Sequence, residues 1–257
     1  MTDDFCSYDG KTVLLTGAGG FLAAATARLL AARGANVAAV DRPGVPLDGL
    51  GDIPADRLLE LEADVTDPAS VQAYVEATVQ RFGRIDLFFN AAGIAGPVLP
   101  IGDYPVEDFV QIMNVNVVGV FLGLKYVLPV MREQRGGVVV NACSVAGLRG
   151  SKGISGYSAS KHAVLGLTKV AASESAGDGV RVVGIAPGPI DSPMFNGHAS
   201  EQTVDLEAFQ AATIAAIPQG RLGTGEDIAN FVCFLGSEQA SYINGVVVAI
   251  DGALTAG

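Results

Sequence analysis

Histidine, cysteine and basic charge are all scarce in this chain. Three cysteines (Cys6, Cys143, Cys233) and two histidines (His162, His198) are scattered over 257 residues with no paired or metal-like spacing. That argues against a disulfide framework or a metal centre and points to a reducing, cytoplasmic setting. Lysine and arginine number 16 against 27 aspartates and glutamates, a net charge of −11 with no basic run. Nucleic acid and anionic membrane surfaces are therefore poor partners. No apolar stretch reaches the roughly 18 residues expected of a membrane span. Met1–Gly10 is acidic and polar, unlike the basic-then-apolar plan of a signal peptide.

Apolar residues are plentiful. They make up 49% of the sequence against 17% charged, enough to bury one large core. Short apolar runs at Val13–Thr16, Asn36–Val40, Leu58–Leu61, Ile85–Phe89, Val138–Ala142, Val180–Ile185 and Val246–Ile250 predict seven strands. Helical patterns separate them: Ala23–Arg33, a helix opened by Asp67-Pro68 and closed at Gly83, Val106–Met131, Tyr157–Ala176 and Glu226–Leu235. Strands alternating with helices predict one α/β domain over residues 1–257, a doubly wound seven-stranded parallel sheet of Rossmann type with helices on both faces. The one long irregular stretch, Gly188–Gly220, carries Leu206, Phe209, Ile214 and Ile217 at near-helical spacing. It reads as a loop with a short amphipathic helix, placed as a lid over a site.

Thr16-Gly17-Ala18-Gly19-Gly20-Phe21-Leu22-Ala23 joins the first strand to the first helix. Glycine there permits a tight turn and lets phosphate oxygens approach backbone N–H groups at the helix start. Many strand–helix turns need glycine for geometry alone, so the context matters. Asp41 stands 24 positions after Gly17, at the end of the second strand. A carboxylate in that place accepts hydrogen bonds from adenosine ribose hydroxyls and repels a 2′-phosphate, favouring NAD over NADP. Arg42 argues the other way, since a guanidinium pairs with phosphate. Asp64-Val65 and Asn90-Ala91-Ala92-Gly93 end the third and fourth strands, where adenine and its ribose would rest.

Tyr157 and Lys161 lie four positions apart on a helix and share a face. A phenol is a weak base at neutral pH, and a nearby ammonium favours its anion. Such a tyrosine can take a proton from an alcohol or return it to a ketone. Spacing of this kind is more often a solvated helix face. Ser144 follows the strand Val138–Ala142, at the same sheet edge as the glycine turn, where its hydroxyl could polarise a reacting oxygen.

Asn116, Ser144, Tyr157 and Lys161, the glycine turn and Asn90–Gly93 together resemble the short single-domain branch of the short-chain dehydrogenase/reductase family. Pro187-Gly188-Pro189-Ile190 and Asp251-Gly252 extend the likeness from about Gly10 to Thr255. The resemblance implies hydride transfer with NAD, Tyr157 as general acid/base and Ser144 as the group orienting the substrate oxygen. It also implies that Lys161 binds the nicotinamide ribose and that Asn116 holds a water relaying protons to Lys161. Asn114 competes for that last role. Gly17, Gly19, Gly20, Phe21, Leu22, Asp41, Arg42, Asp64, Val65 and Asn90–Gly93 then contact the cofactor with Tyr157 and Lys161. Pro187, Gly188, Ile190 and Ser192 pass the nicotinamide carboxamide.

Three departures stand out. Phe21 and Ala23 occupy the second and third glycine places of T-G-x-x-x-G-x-G, with Gly20 expected to take over the close approach. Ala91 replaces the second asparagine of N-N-A-G, and Ala253 the last glycine of D-G-G. Ile94, Ala146, Leu148, Ile154, Met194 and Phe195 are the candidate substrate contacts. Their apolar character predicts a hydrophobic or cyclic alcohol/ketone substrate. Reduction of 3-oxoacyl thioesters is the alternative, and the absence of a basic cluster weighs against it. An epimerase of the longer branch would need a further substrate domain, and a non-catalytic dinucleotide sensor would lack one of the four catalytic groups. The excess of small and apolar residues on the two long helices predicts a homotetramer or homodimer.

Overall fold

The computed structural model describes residues 6–201 and 204–256, so the reading of Met1–Gly10 lies partly outside the described residues. Seven parallel strands form one sheet in the order β3-β2-β1-β4-β5-β6-β7. They are β1 (Thr12–Thr16), β2 (Asn36–Asp41), β3 (Leu58–Glu62), β4 (Leu87–Asn90), β5 (Gly137–Ala142), β6 (Val180–Pro187) and β7 (Val247–Ile250). The order reverses between β1 and β4, which opens a crevice at the carboxyl ends of those two strands. β1 lies between β2 and β4 and is buried along its whole length, as expected of a near-continuous apolar run in a parallel sheet.

Helices α1 (Phe21–Ala32) and α8 (Gly225–Gly236) cover one face. Leu30, Ile228 and Val232 pack there against Val13, Leu15 and Leu87. On the other face lie α2 (Pro68–Phe82), α4 (Gly119–Gln134) and α5 (Ser155–Ser175). Val71, Val127 and Val164 meet Leu14, Phe88 and Val139 on that side. α2 follows its sequence signals closely. The Asp67 side chain accepts from the Ala69 and Ser70 N–H groups, and Gly83 closes the helix in the left-handed region at φ 81°, the usual glycine stop.

Three expectations change. The long helix predicted over Val106–Met131 is interrupted: α3 (Val106–Met113) passes into a π-helical turn, Asn114–Val118, before α4 begins. A π turn inserts one residue into the helix and recurs at functional sites. The helical run Val106–Gln134 is nonetheless long and apolar enough, by length and composition, to cross a membrane, contrary to the expectation that no segment would be. Half of its most apolar window is buried inside the fold, as befits a core helix.

The stretch Gly188–Gly220 also holds two helices where one was expected, α6 (Pro193–Glu201) and α7 (Leu206–Ala216). Ser192-Pro193 starts the missed one. Proline fits the first helical position, and the Ser192 hydroxyl accepts from the Phe195 N–H at 3.3 Å. The rings of Phe195 and Phe209, 5.0 Å apart, pin α6 to α7.

Candidate active site

The glycine turn is built to expose backbone donors. Gly17 is left-handed (φ +69°), and a Cβ there would stand 3.0 Å from Cα of Ala92, so the ends of β1 and β4 can meet only through glycine. The Gly20 N–H donates to the Gly17 carbonyl at 2.8 Å and closes the turn. α1 starts at Phe21, two residues earlier than predicted, so Phe21 and Leu22 lie in its first turn. No side chain caps the helix start and its first turn holds no acidic residue, which leaves donors and dipole suited to an anion. The Phe21 ring is partly exposed and Ala23 is buried. Their side chains leave the N–H donors in place.

Asp41 is held beside this turn. Its Oδ2 accepts from the Gly19 N–H at 2.9 Å and its Oδ1 from the Arg42 N–H at 2.7 Å. Each carboxylate oxygen keeps a lone pair for a further donor. Asp41 pairs in register with Glu62 on β3, and Asp41, Asp48, Glu60 and Glu62 line a cavity of about 360 Å³ against the single cation Arg42. The sequence sets only Asp41 against Arg42; the register of β3 beside β2 adds Glu60 and Glu62. Asp64 is engaged locally, its Oδ1 accepting from the Thr66 N–H and hydroxyl. Val65 abuts Gly119 at the start of α4.

Asn90 departs from its expected place at the ligand edge. Its Nδ2 donates to the Val120 carbonyl at 3.1 Å and to Asn141 Oδ1 at 3.3 Å, while its Oδ1 accepts from the Thr16 hydroxyl. Asn141 Nδ2 continues to the Thr168 hydroxyl at 3.0 Å. Thr16 Oγ1 in turn accepts from the Ala91 and Ala92 N–H groups. A buried polar row thus crosses β1, β4 and β5 and ends on α5. It clamps Ala91–Gly93 in place by side chains, since a polar group inside the sheet must be paired.

Gly93 carries that clamp to the second half of the site. A Cβ on Gly93 would lie 3.2 Å from Asn116 Oδ1 and 3.6 Å from Lys161 Nζ. Asn116, fully buried in the π turn, binds Ile94 twice: Oδ1 accepts from its N–H at 2.8 Å and Nδ2 donates to its carbonyl at 2.9 Å. Asn114 is exposed, so the structure brings Asn116, and not Asn114, to the site.

Lys161 is almost fully buried, and Nζ donates to the Ala142 carbonyl at 2.7 Å. Among the described residues it has no carboxylate partner, and two of its three hydrogens have no acceptor there. A buried ammonium in that condition is costly unless a ligand completes its bonding. The same nitrogen lies 5.5 Å from the centre of the Tyr157 ring. Ser144, at the end of β5, accepts from the Ala146 N–H at 3.1 Å, which leaves its hydroxyl hydrogen to donate elsewhere. Burial pushes the neighbouring Cys143 thiol up to about 11, against the pull of Lys161, so that sulfur stays protonated and inert near neutrality.

Of the remaining predicted residues, Pro187 ends β6 opposite Ile250, and the Gly188 N–H donates to the Ile250 carbonyl. Ile190 is buried and its segment is pinned to Gly223. Ile154 pairs with Leu99, which joins the loop after β4 to the entry of α5. Ala146 is buried, whereas Leu148 and Met194 are exposed. The larger cavity, about 470 Å³ between β7 and α8, is lined by Pro189, Ile217, Arg221 and Asp227 and contains none of the four candidate catalytic side chains.

Known proteins with this pattern are numerous. The family model described as enoyl-(acyl carrier protein) reductase matches residues 17–255. Levodione reductase from Leifsonia aquatica is 44% identical over 257 residues, covering 97% of this chain and 96% of that protein. A crystal structure of levodione reductase superposes with a TM-score of 0.94 at 42% identity, over 97% of this chain and 99% of that one. Cyclohexanol dehydrogenase from Acinetobacter sp. (strain SE19) is 36% identical over 255 residues, 96% of each protein. The crystal structure of an NAD⁺-bound xylitol dehydrogenase has a TM-score of 0.89 at 33% identity, covering 95% of this chain and 99% of that one.

Proposed function

The chain belongs to the short-chain dehydrogenase/reductase family and is an oxidoreductase, and from that premise we propose how it works: it interconverts a secondary alcohol and a ketone with NAD(H), Tyr157 carrying the proton. The observation that carries this reading is Lys161, a buried ammonium one helical turn from Tyr157 with two hydrogens left for a ligand.

A nicotinamide dinucleotide fits the residues present. The uncapped N–H groups at Phe21 and Leu22, with Gly17–Gly20, suit its pyrophosphate. Asp41 suits the adenosine ribose, and the carboxylates around the adjoining cavity disfavour a 2′-phosphate, so NAD is preferred to NADP. Asp64, Val65 and Ala91–Gly93 flank the adenine side. Pro187, Gly188, Ile190 and Ser192 border the nicotinamide carboxamide, and Lys161 holds the second ribose. When bound, the cofactor supplies or accepts the hydride. The chain does the rest. Ser144 donates its free hydroxyl hydrogen to the substrate oxygen, and Tyr157 gives that oxygen a proton or removes one. The charge of Lys161 stabilises the negative charge that develops on the tyrosine oxygen, and Asn116 keeps the proton path beside it in place.

The substrate class is read from apolar candidates, Ile94, Ala146, Leu148, Ile154, Met194 and Phe195, with α6 and α7 as the lid. A cyclic ketone or alcohol suits it, in keeping with the name of the cyclohexanol dehydrogenase relative. Val106, Phe121 and Val170 are strongly exposed on α3, α4 and α5, which supports a homotetramer or homodimer. The unpaired cysteines support a cytoplasmic setting. A panel of cyclic and aryl ketones and an acetoacetyl thioester, each with NADH and NADPH, tests the reading. Oxidation of NADH by the cyclic ketones is expected. Turnover confined to the thioester would transfer the assignment to the acyl-thioester reaction.

A further inference from the structure

Between Tyr157 and Lys161 lies a serine with no assigned part in the reaction. Ser160 is fully buried in α5. Its hydroxyl donates to the Tyr157 carbonyl at 2.8 Å and accepts from Asn116 Nδ2 at 3.0 Å. The direction of both bonds is fixed, because a carbonyl can only accept and an amide nitrogen can only donate. Ser160 thus joins the first turns of α5 to the π turn by side-chain hydrogen bonds, and the joint involves the residue whose phenol handles the proton.

We propose that Ser160 is a positioning residue for proton transfer, acting through Asn116. The inference rests on the reading of Tyr157 as the general acid/base. Asn116 has two amide hydrogens, one given to Ile94 and one to Ser160. Removing the serine oxygen leaves the second without its partner where both side chains are fully buried, and an unpaired buried donor drives its surroundings to rearrange. What can shift is the π turn relative to α5, since the pair of hydrogen bonds to Ile94 ties Asn116 to the Gly93 side and leaves Ser160 as its tie to the tyrosine. Ser160 therefore sets the distance between the group that exchanges the proton and the segment beside Lys161 that relays it. Binding of the dinucleotide does not depend on it, because the polar row through Thr16, Asn90 and Asn141 holds Ala91–Gly93 independently.

Ser160→Ala, Asn116→Ala, the double variant and Tyr157→Phe are compared in ketone reduction, with NADH binding followed by fluorescence and folding by thermal melting. For Ser160→Ala a loss in kcat of about tenfold or more is expected, the scale of a small misplacement at a reacting centre. KM and NADH affinity stay within about twofold, and the solvent deuterium isotope effect on kcat rises as proton transfer becomes slower. The double variant is expected to be no slower than Asn116→Ala, because the serine acts through the asparagine. Should Asn116→Ala fail to melt cooperatively, Asn116→Ser takes its place in the cycle. Full activity in Ser160→Ala overturns the inference. So does a loss that multiplies with that of Asn116→Ala, or a loss with an unchanged isotope effect. Undiminished turnover in Tyr157→Phe would instead overturn the assigned chemistry itself.

Discussion

Around Gly17 the groups offered to a ligand are backbone N–H donors and a rim of carboxylates at the surface. Around Tyr157 they are side chains, mostly buried, each held by a partner in the fold: Asn116 by Ile94 and Ser160, Ser144 by Ala146, Lys161 by Ala142. The two ends of the cleft therefore tolerate change differently. A backbone donor survives most substitutions, since every residue but proline carries one, and this is how Phe21 and Ala23 can stand where the family has glycine. A buried side-chain network has no such reserve. Deleting one atom strands its partner at a cost of about 1–3 kcal/mol, besides removing the group itself.

That contrast can be broken at several points. Lys161→Met is expected to have the largest effect, a fall in kcat of about 10²–10⁴-fold accompanied by weaker NADH binding, since Lys161 serves both ends. Steady-state kinetics together with an NADH titration read the two effects separately. Retention of more than roughly a tenth of the activity would show that the catalytic end has the redundancy denied to it here.

Asp41→Ala sits at the other end and should change recognition only. The ratio of kcat/KM for NADPH to that for NADH is expected to rise by about tenfold, the worth of one screened charge at close range. Preference is not expected to reverse while Asp48, Glu60 and Glu62 still line the adjoining cavity. A complete switch to NADPH in this single variant would remove those carboxylates from the account.

The smallest change belongs to Phe21→Gly, which restores the family residue. NADH affinity should move by less than about threefold, because the N–H is present either way. The melting temperature should drop slightly, glycine in a helix costing about 1 kcal/mol. A tenfold gain in affinity would mean that the Phe21 ring obstructs the phosphate site, and the backbone end would then be less forgiving than its geometry suggests.

The features legible in the sequence are those that local physics decides. α2 was readable from Asp67-Pro68 to Gly83 because its cap, its proline and its stop are all near neighbours. The strands were readable as apolar runs, and their parallel arrangement followed from the alternation with helices. The π turn was not, because it is bound up with bonds between Asn116 and Ile94, 22 residues away in sequence. The inward turn of the Asn90 side chain depends on β4 lying beside β5 in a register that sets Asn90 against Asn141. Glu62 joins Asp41 for the same kind of reason. Ser160 was hidden differently: it stands in plain view between Tyr157 and Lys161, but serine in a helix is ordinarily solvated or bonded to its own backbone. Only the fold shows that its hydroxyl also reaches Asn116. The start of α6 carried a usable signal in Ser192-Pro193, lost in a stretch read as a loop.

The account turns on one oxygen atom. Tyr157→Phe removes it and leaves the ring beside Lys161 in place. NADH binding and ketone turnover, measured on the same preparation, test the claim directly. The dissociation constant is expected to stay within about twofold while kcat falls by about 10²–10⁴-fold, the range for loss of a general acid/base. Turnover at the original rate, with binding intact, would contradict the account and place proton transfer on another group.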